Sequence, residues 1–96
     1  MIGLITAGII AGLVAIMVAV LTMKVIKDWF RENTVVDKDN VRAIIQDDMA
    51  NGHVKVIQVG FRRSAGKLTA VKAYDAEKVD EELKAKGKEC IYKDAC

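Results

Sequence analysis

IGLITAGIIAGLVAIMVAVLTM, residues 2–23, decides the predicted fold, because these 22 residues contain no charge. As an α-helix with a rise of about 1.5 Å per residue, the stretch would be about 33 Å long, enough to cross a hydrocarbon layer of about 30 Å. The rest of the chain is too short to surround a helix that is apolar on every side. A cleaved signal peptide would carry Lys or Arg before its apolar stretch, and here only Met1 precedes it. The stretch therefore predicts one retained transmembrane helix.

The residues after this stretch are typical of a membrane interface. The predicted interfacial anchors are two lysines, two aromatic residues and an arginine: Lys24, Lys27, Trp29, Phe30 and Arg31. Three cations follow the stretch and none precedes it, so the positive-inside rule predicts a single-pass cell-membrane protein with a cytoplasmic C-terminal head. If a basic leader had been removed before residue 1, the count of cations would be incomplete and the orientation could reverse, which leaves an extracytoplasmic head as the alternative.

Small residues recur within the predicted helix at a spacing that suits close packing against a neighbour. Lipid chains are as apolar as leucine, so transmembrane helices associate where small residues let their backbones approach. The stretch holds one row at every fourth position and a G-x-x-x-G pair beside it: Gly3, Ala7, Ala11, Ala15 and Ala19, with Gly8 and Gly12. The pattern predicts membrane lipid as surroundings and a protein partner, or a homo-oligomer, bound through this helix.

The remainder of the chain predicts a small α+β head. Residues 1–33 form the predicted helix with its interfacial continuation, and residues 34–96 form the head. Apolar residues at helical spacing after Asp37 predict a first helix, ended by Asn51 and Gly52. Two β-rich runs around a turn at residues 64–67 predict a hairpin of strands 53–62 and 68–74. A second helix over residues 76–86 and a strand over residues 88–93 complete an αββαβ order. A further strand at residues 34–36 would make it βαββαβ, the ferredoxin-like split fold.

The residue types needed for catalysis do not assemble in the sequence. The chain has one histidine, His53, and one serine, Ser64, whereas a nucleophile needs both a base and an orienting group. His53 directly follows a predicted helix end, where a cation is favoured, so a capping role is the preferred interpretation. No phosphate-binding glycine motif is present. We therefore expect no enzyme, no cofactor, no metal and no small-molecule substrate.

One local concentration of charge lies at the predicted hairpin tip. Arg62, Arg63 and Lys67 form a basic cluster that could contact an anionic lipid headgroup or an acidic protein surface, although a solvated turn is the simpler interpretation. The formal net charge of the whole chain is only +2, and no aromatic platform accompanies the cluster. Nucleic acid is therefore not an expected partner.

The two cysteines, Cys90 and Cys96, leave two alternatives open. In a reducing cytoplasm they would be free thiols, and in an oxidising compartment they could close a short loop. A hydrophobic helix at residue 1 followed by a small α/β head resembles the layout of type IV pilins and pseudopilins, in which such a C-terminal disulfide is common. The chain departs from that pattern at Ile5, where pilins have Glu, and in having no proline.

The predicted function is that of a non-catalytic structural or interaction subunit of a membrane assembly. Its helix would pack through the small residues, and its head would contact a partner. The resemblance implies an alternative, a pilin-like filament subunit with an extracytoplasmic head. A third alternative is a membrane-anchored regulator that binds a small ligand, for which the sequence offers no candidate residues.

Overall fold

Two consecutive hairpins form the centre of the fold. The computed structural model describes residues 15–34 and 38–91. Within them the chain forms β1 (Ile16–Leu21), α1 (Met23–Asn33), β2 (Asn40–Asp48), β3 (Val54–Arg62), β4 (Lys67–Val79), α2 (Glu81–Lys84) and β5 (Glu89–Ile91). The five strands make one mixed sheet in the order β1-β4-β3-β2-β5. The pairs β2–β3, β3–β4 and β2–β5 are antiparallel, whereas β1 runs parallel to β4.

The predicted membrane span is wrong, because part of it is a strand. Residues 16–21 pair with residues 74–79 of β4, and the chain then turns into α1 at Met23. The Thr22 hydroxyl accepts a hydrogen bond from the backbone N–H of Val25 at 3.3 Å and so caps the new helix. In residues 15–34 and 38–91 we find no helix that combines the length and the apolar character needed to cross a bilayer. The predicted single-pass membrane location and the predicted positive-inside orientation of the head depend on that span and are wrong as well.

The first predicted helix of the head is also wrong, since its residues form β2. Val41, Ile44 and Ile45 satisfy a helical period, but residues 43–46 are buried at four successive positions. Burial at successive positions is what a central strand shows when both faces of its sheet are covered. β2 lies between β3 and β5 and pairs with β3 over its full length.

The predicted helix over residues 76–86 is reduced to one turn. β4 continues through Ala76, which is fully buried, because β1 supplies a parallel partner for this part of the strand. α2 begins only at Glu81, after Asp80, whose carboxylate accepts from the N–H of Leu83 at 2.9 Å. The predicted αββαβ order, and the ferredoxin-like order with it, is therefore wrong, while the α+β character, the β3–β4 hairpin and a last strand at β5 are present.

Apolar side chains form one cluster on each face of the sheet. On one face, α1 buries Met23, Ile26 and Phe30 completely against strand residues that include Ile44 and Val56. On the other face lies a second cluster, formed by Ala43, Ile45, Ile57, Val59 and Ala73. Because β1 and α1 share the first cluster with the hairpins, they belong to the same core as the rest of the sheet.

A buried polar contact fixes α1 on the sheet. Tyr74 donates its hydroxyl hydrogen to Gln58 Oε1 at 2.5 Å, and Gln58 Nε2 donates to the carbonyl oxygen of Ile26 at 3.2 Å. Gln58 is fully buried, so both of its polar atoms need these partners. The contact joins β3, β4 and the middle of α1.

Candidate functional site

Among the described residues, β1 is an edge strand of the sheet, and one of its two sides has no neighbouring strand. Its only neighbour in the described part of the sheet is β4. The sequence IMVAVL contains no charged residue and no proline, and these are residues that usually protect a sheet edge from pairing with another chain. An unpaired row of backbone N–H and C=O groups on such a strand is a template for a further strand.

Exposed apolar side chains are concentrated at this edge. The large hydrophobic residues that are exposed in the described part of the chain are Ile16 (51%), Met17 (74%), Val20 (56%) and Val25 (45%). We call these four residues the β1 patch. Three belong to β1, and the fourth lies in the first turn of α1. A cluster of exposed apolar residues at one place is typical of an interaction surface, whereas scattered ones need no explanation.

The register with β4 shows which face each side chain of the patch occupies. Ile16 lies beside Tyr74 and Val20 beside Lys78, so both share the face that α1 covers. Met17 lies beside Asp75 on the opposite face. The patch therefore borders the open edge on both faces of the sheet. A strand added there would cover apolar side chains above and below it.

Only two of the predicted helix-packing residues fall in the described part. Ala15 packs against the cluster that includes Ala43, and Ala19 is exposed on β1. They are not on a helix, so the four-residue spacing places them on no common helical face. The other five, Gly3, Ala7, Gly8, Ala11 and Gly12, lie outside the described residues.

The predicted interfacial anchors all lie on α1, where they have protein partners. Phe30 is fully buried, and Trp29 packs at its edge with ring centroids 5.6 Å apart. Lys24 and Arg31 both pair with Asp28, at 2.8 and 2.6 Å, and the hydrogen bond from Lys24 is the main cause that lowers the pKa of Asp28. Lys27 reaches Glu82 at 2.9 Å. These charges are therefore largely balanced beside the β1 patch.

The basic cluster at the hairpin tip lies beside an acidic residue, Asp39, whose position the sequence did not reveal. Asp39 accepts hydrogen bonds from the backbone N–H of Ser64 at 2.8 Å and from its hydroxyl at 2.5 Å. These bonds lower the pKa of Asp39, with a smaller contribution from Arg62, whose Nε lies 3.9 Å away, and from Arg63. The Lys67 side chain is not among those described. Asp39 offsets part of the positive charge, and an anionic contact at this tip stays a prediction.

The histidine has a partner that the sequence did not reveal. His53 Nδ1 lies 2.7 Å from Asp75 Oδ1; His53 directly precedes β3, Asp75 lies on β4, and both side chains are partly buried. The lone serine, Ser64, follows the other end of β3 and so lies away from this pair. Among the described residues no three His, Cys, Asp or Glu side chains could share a metal ion. The pair ties two strands together.

Cys90 is buried on β5 and takes part in a disulfide. The sequence contains one other cysteine, Cys96, which lies outside the described residues. The Cys90–Cys96 pairing therefore stays a prediction.

An open cavity of about 220 Å³ lies between α2 and the end of the β2–β3 hairpin at Asp48 and Val54. It is lined by Gln46, Asp48, Val54, Val79, Lys84, Gly87 and Lys88. Gln46 Nε2 already donates to the carbonyl oxygens of Leu83 and Gly87, at 2.7 and 3.0 Å. Its amide therefore holds the loop after α2, and binding of a small ligand by this domain stays a prediction.

Comparisons of the chain with protein-family models, with curated proteins and with solved structures give no match. The feature of the described residues that bears most directly on function is therefore the β1 edge.

Proposed function

We propose that this chain is a non-catalytic protein-interaction domain that binds an extended polypeptide segment along the open edge of β1. The observation that carries the proposal is the β1 patch on an unprotected edge strand. A bound segment would pair with the backbone of β1 and cover the apolar side chains on both faces.

The expected affinity is modest. Full burial of a side chain such as Val, Ile or Met contributes about 1.5–3 kcal/mol. The four side chains of the patch are already partly covered, Met17 least of them, so their burial would contribute on the order of 1 kcal/mol each. Association itself costs at least about 4 kcal/mol, and the backbone hydrogen bonds must supply the surplus. The domain is suited to a reversible contact or to one strengthened by repetition.

Site-specific photo-crosslinking tests the proposal. A benzophenone amino acid replaces Met17, which is the most exposed residue of the patch, and the full chain is irradiated in cells of the source organism. The matched control places the same probe at Asp47, an exposed position on β2, three strands away in the sheet order. We expect a protein adduct of defined mass from position 17 and none from position 47. Equal adducts from both positions, or none from position 17, would refute the proposal.

A second variant links the adduct to the patch. Val20→Lys introduces a charge beside the edge at a side chain that is more than half exposed, so the domain should still fold. We expect the yield of the position-17 adduct to fall roughly tenfold, which corresponds to about 1.4 kcal/mol. An unchanged yield would show that the probe reports on random encounters.

A further inference from the structure

We infer that the segment bound at the β1 edge is β1 of a second copy of this chain, paired antiparallel with Val18 on the two-fold axis. The inference rests on the proposed function and names its partner. Two five-stranded sheets would then join into one continuous sheet of ten strands.

Symmetry restricts the register of such a pair. In an antiparallel pair, directly opposed side chains lie on the same face, and a two-fold axis perpendicular to the sheet keeps each face continuous. Each residue must therefore oppose one that is an even number of positions away. Centring the pair on Val18 opposes Ile16 to Val20 of the second copy, Met17 to Ala19, and Val18 to itself. A shift by one residue would oppose side chains from different faces.

The side chains fit this register. Ile16 and Val20 are both half-exposed on the face that α1 covers, and in the dimer each would cover the other. On the other face Met17, the most exposed of the patch, would oppose Ala19, so a large side chain would lie against a small one. No charged residue lies in β1, so two copies can approach without burying like charges. Three of the four residues of the β1 patch would take part.

The dimer should be weak and dependent on concentration. A stable interface buries about 800 Å² on each partner, and one six-residue strand edge supplies much less. We expect a dissociation constant between roughly 1 μM and 1 mM. Sedimentation equilibrium of the purified full chain over that range should show a reversible monomer–dimer transition.

Two matched double variants test the register. Ile16→Lys/Val20→Lys would oppose lysine to lysine across the antiparallel pair, and we expect its dissociation constant to rise at least about tenfold. Ile16→Glu/Val20→Lys would oppose glutamate to lysine in the same register, and we expect dimerisation to return. A parallel pair would oppose each residue to its own copy, so the second variant would then stay monomeric. That result, or equal dimerisation of both variants, would overturn the inference.

Cross-linking supplies an independent measurement. Val18→Cys should form a disulfide between two copies under mild oxidation, because its position opposes itself. Val20→Cys alone should not, whereas a mixture of Ile16→Cys and Val20→Cys chains should cross-link. Peptide mapping distinguishes these bonds from exchange with Cys90, which is already in a disulfide. Cross-linking of Val20→Cys alone with equal efficiency would contradict the register.

The outcomes separate this inference from the proposed function. A purified chain that stays monomeric, together with a position-17 adduct to a different protein, would overturn the second copy as partner and leave the interaction edge standing. Absence of any adduct at position 17 would remove both. An adduct with twice the mass of the chain supports both.

Discussion

Removing the hydroxyl of Tyr74 should destabilise the domain through Gln58. In Tyr74→Phe the ring can keep its place, but Gln58 Oε1 loses the hydrogen bond that it accepts at 2.5 Å. Gln58 is fully buried, and no water can replace the lost donor without entering the core beneath α1. The carbonyl of Ile26 keeps its helical partner, so the loss is confined to the pair.

The expected magnitude follows from the burial of the pair. A net hydrogen bond contributes about 0.5–1.5 kcal/mol, and a buried acceptor left unsatisfied costs about 1–3 kcal/mol. We expect Tyr74→Phe to lower the free energy of unfolding by about 2 kcal/mol, which corresponds to roughly 8–16 °C in Tm for a domain of this size. Gln58→Leu/Tyr74→Phe removes both polar partners and should be less destabilised than the two single variants predict together. The coupling energy should be on the order of 1–2 kcal/mol.

Urea unfolding followed by circular dichroism measures these differences. Burial raises the pKa of Tyr74 above its ordinary value of 10.0, because the neutral form is favoured in the fold. The associated stability is complete below the unfolded pKa and is lost as pH rises through the folded pKa, since the unfolded tyrosine ionises first. The wild type should therefore lose more stability than Tyr74→Phe between about pH 8 and about pH 11. If the losses of unfolding free energy in Gln58→Leu and Tyr74→Phe simply add in the double variant, the reasoning about the buried pair is refuted.

Three further substitutions test contacts elsewhere. Gly60→Ala should cost about 1–3 kcal/mol in urea unfolding, because an added Cβ would lie 2.8 Å from Thr34 Cγ2; unchanged stability would show that α1 shifts freely. Asp80→Ala should lower the free energy of unfolding by about 1–2 kcal/mol, because the Asp80 carboxylate accepts hydrogen bonds at the N-termini of α1 and α2. Asp80→Asn should retain part of that stability, and an equal loss in the Ala and Asn variants would contradict the capping role. Ser64→Ala should raise the pKa of Asp39 towards its ordinary value, measured by NMR titration, and an unmoved pKa would show that the hydroxyl does not contribute and that the backbone N–H of residue 64 and the neighbouring arginines suffice.

The β3–β4 hairpin could be predicted because its signals are local. The high content of β-branched residues in residues 54–62 and the turn at Gly66, which has a φ of 59°, need no knowledge of the rest of the fold. β2 could not be distinguished from a helix by its periodicity. Its apolar residues satisfy a helical spacing, and only the presence of covered faces on both sides makes consecutive burial favourable.

The amino-acid composition of β1 did not indicate that these residues form an edge strand. An uncharged stretch of Ile, Val, Ala and Leu is compatible with a membrane helix and with a strand, and the parallel partner on β4 decides between them. Thr22 is a local signal, since it is a preferred N-cap residue directly before the helix that begins at Met23. Ile16, Met17 and Val20 are exposed because β1 lies at the edge of the sheet, and patterns in the sequence do not reveal the strand order.

The parallel pairing of β1 with β4 has a consequence for how the chain folds. The two hairpins join strands that are neighbours in sequence, whereas Ile16 pairs with Tyr74 near the far end of the described chain. Pairings with such long loops form late, because the entropy of closing the loop must be overcome first. A chain that has formed β2, β3 and β4 therefore leaves one edge of β4 unpaired until its own β1 pairs there. At high concentration β1 of another molecule can pair with that edge, so refolding should yield domain-swapped species in proportion to chain concentration.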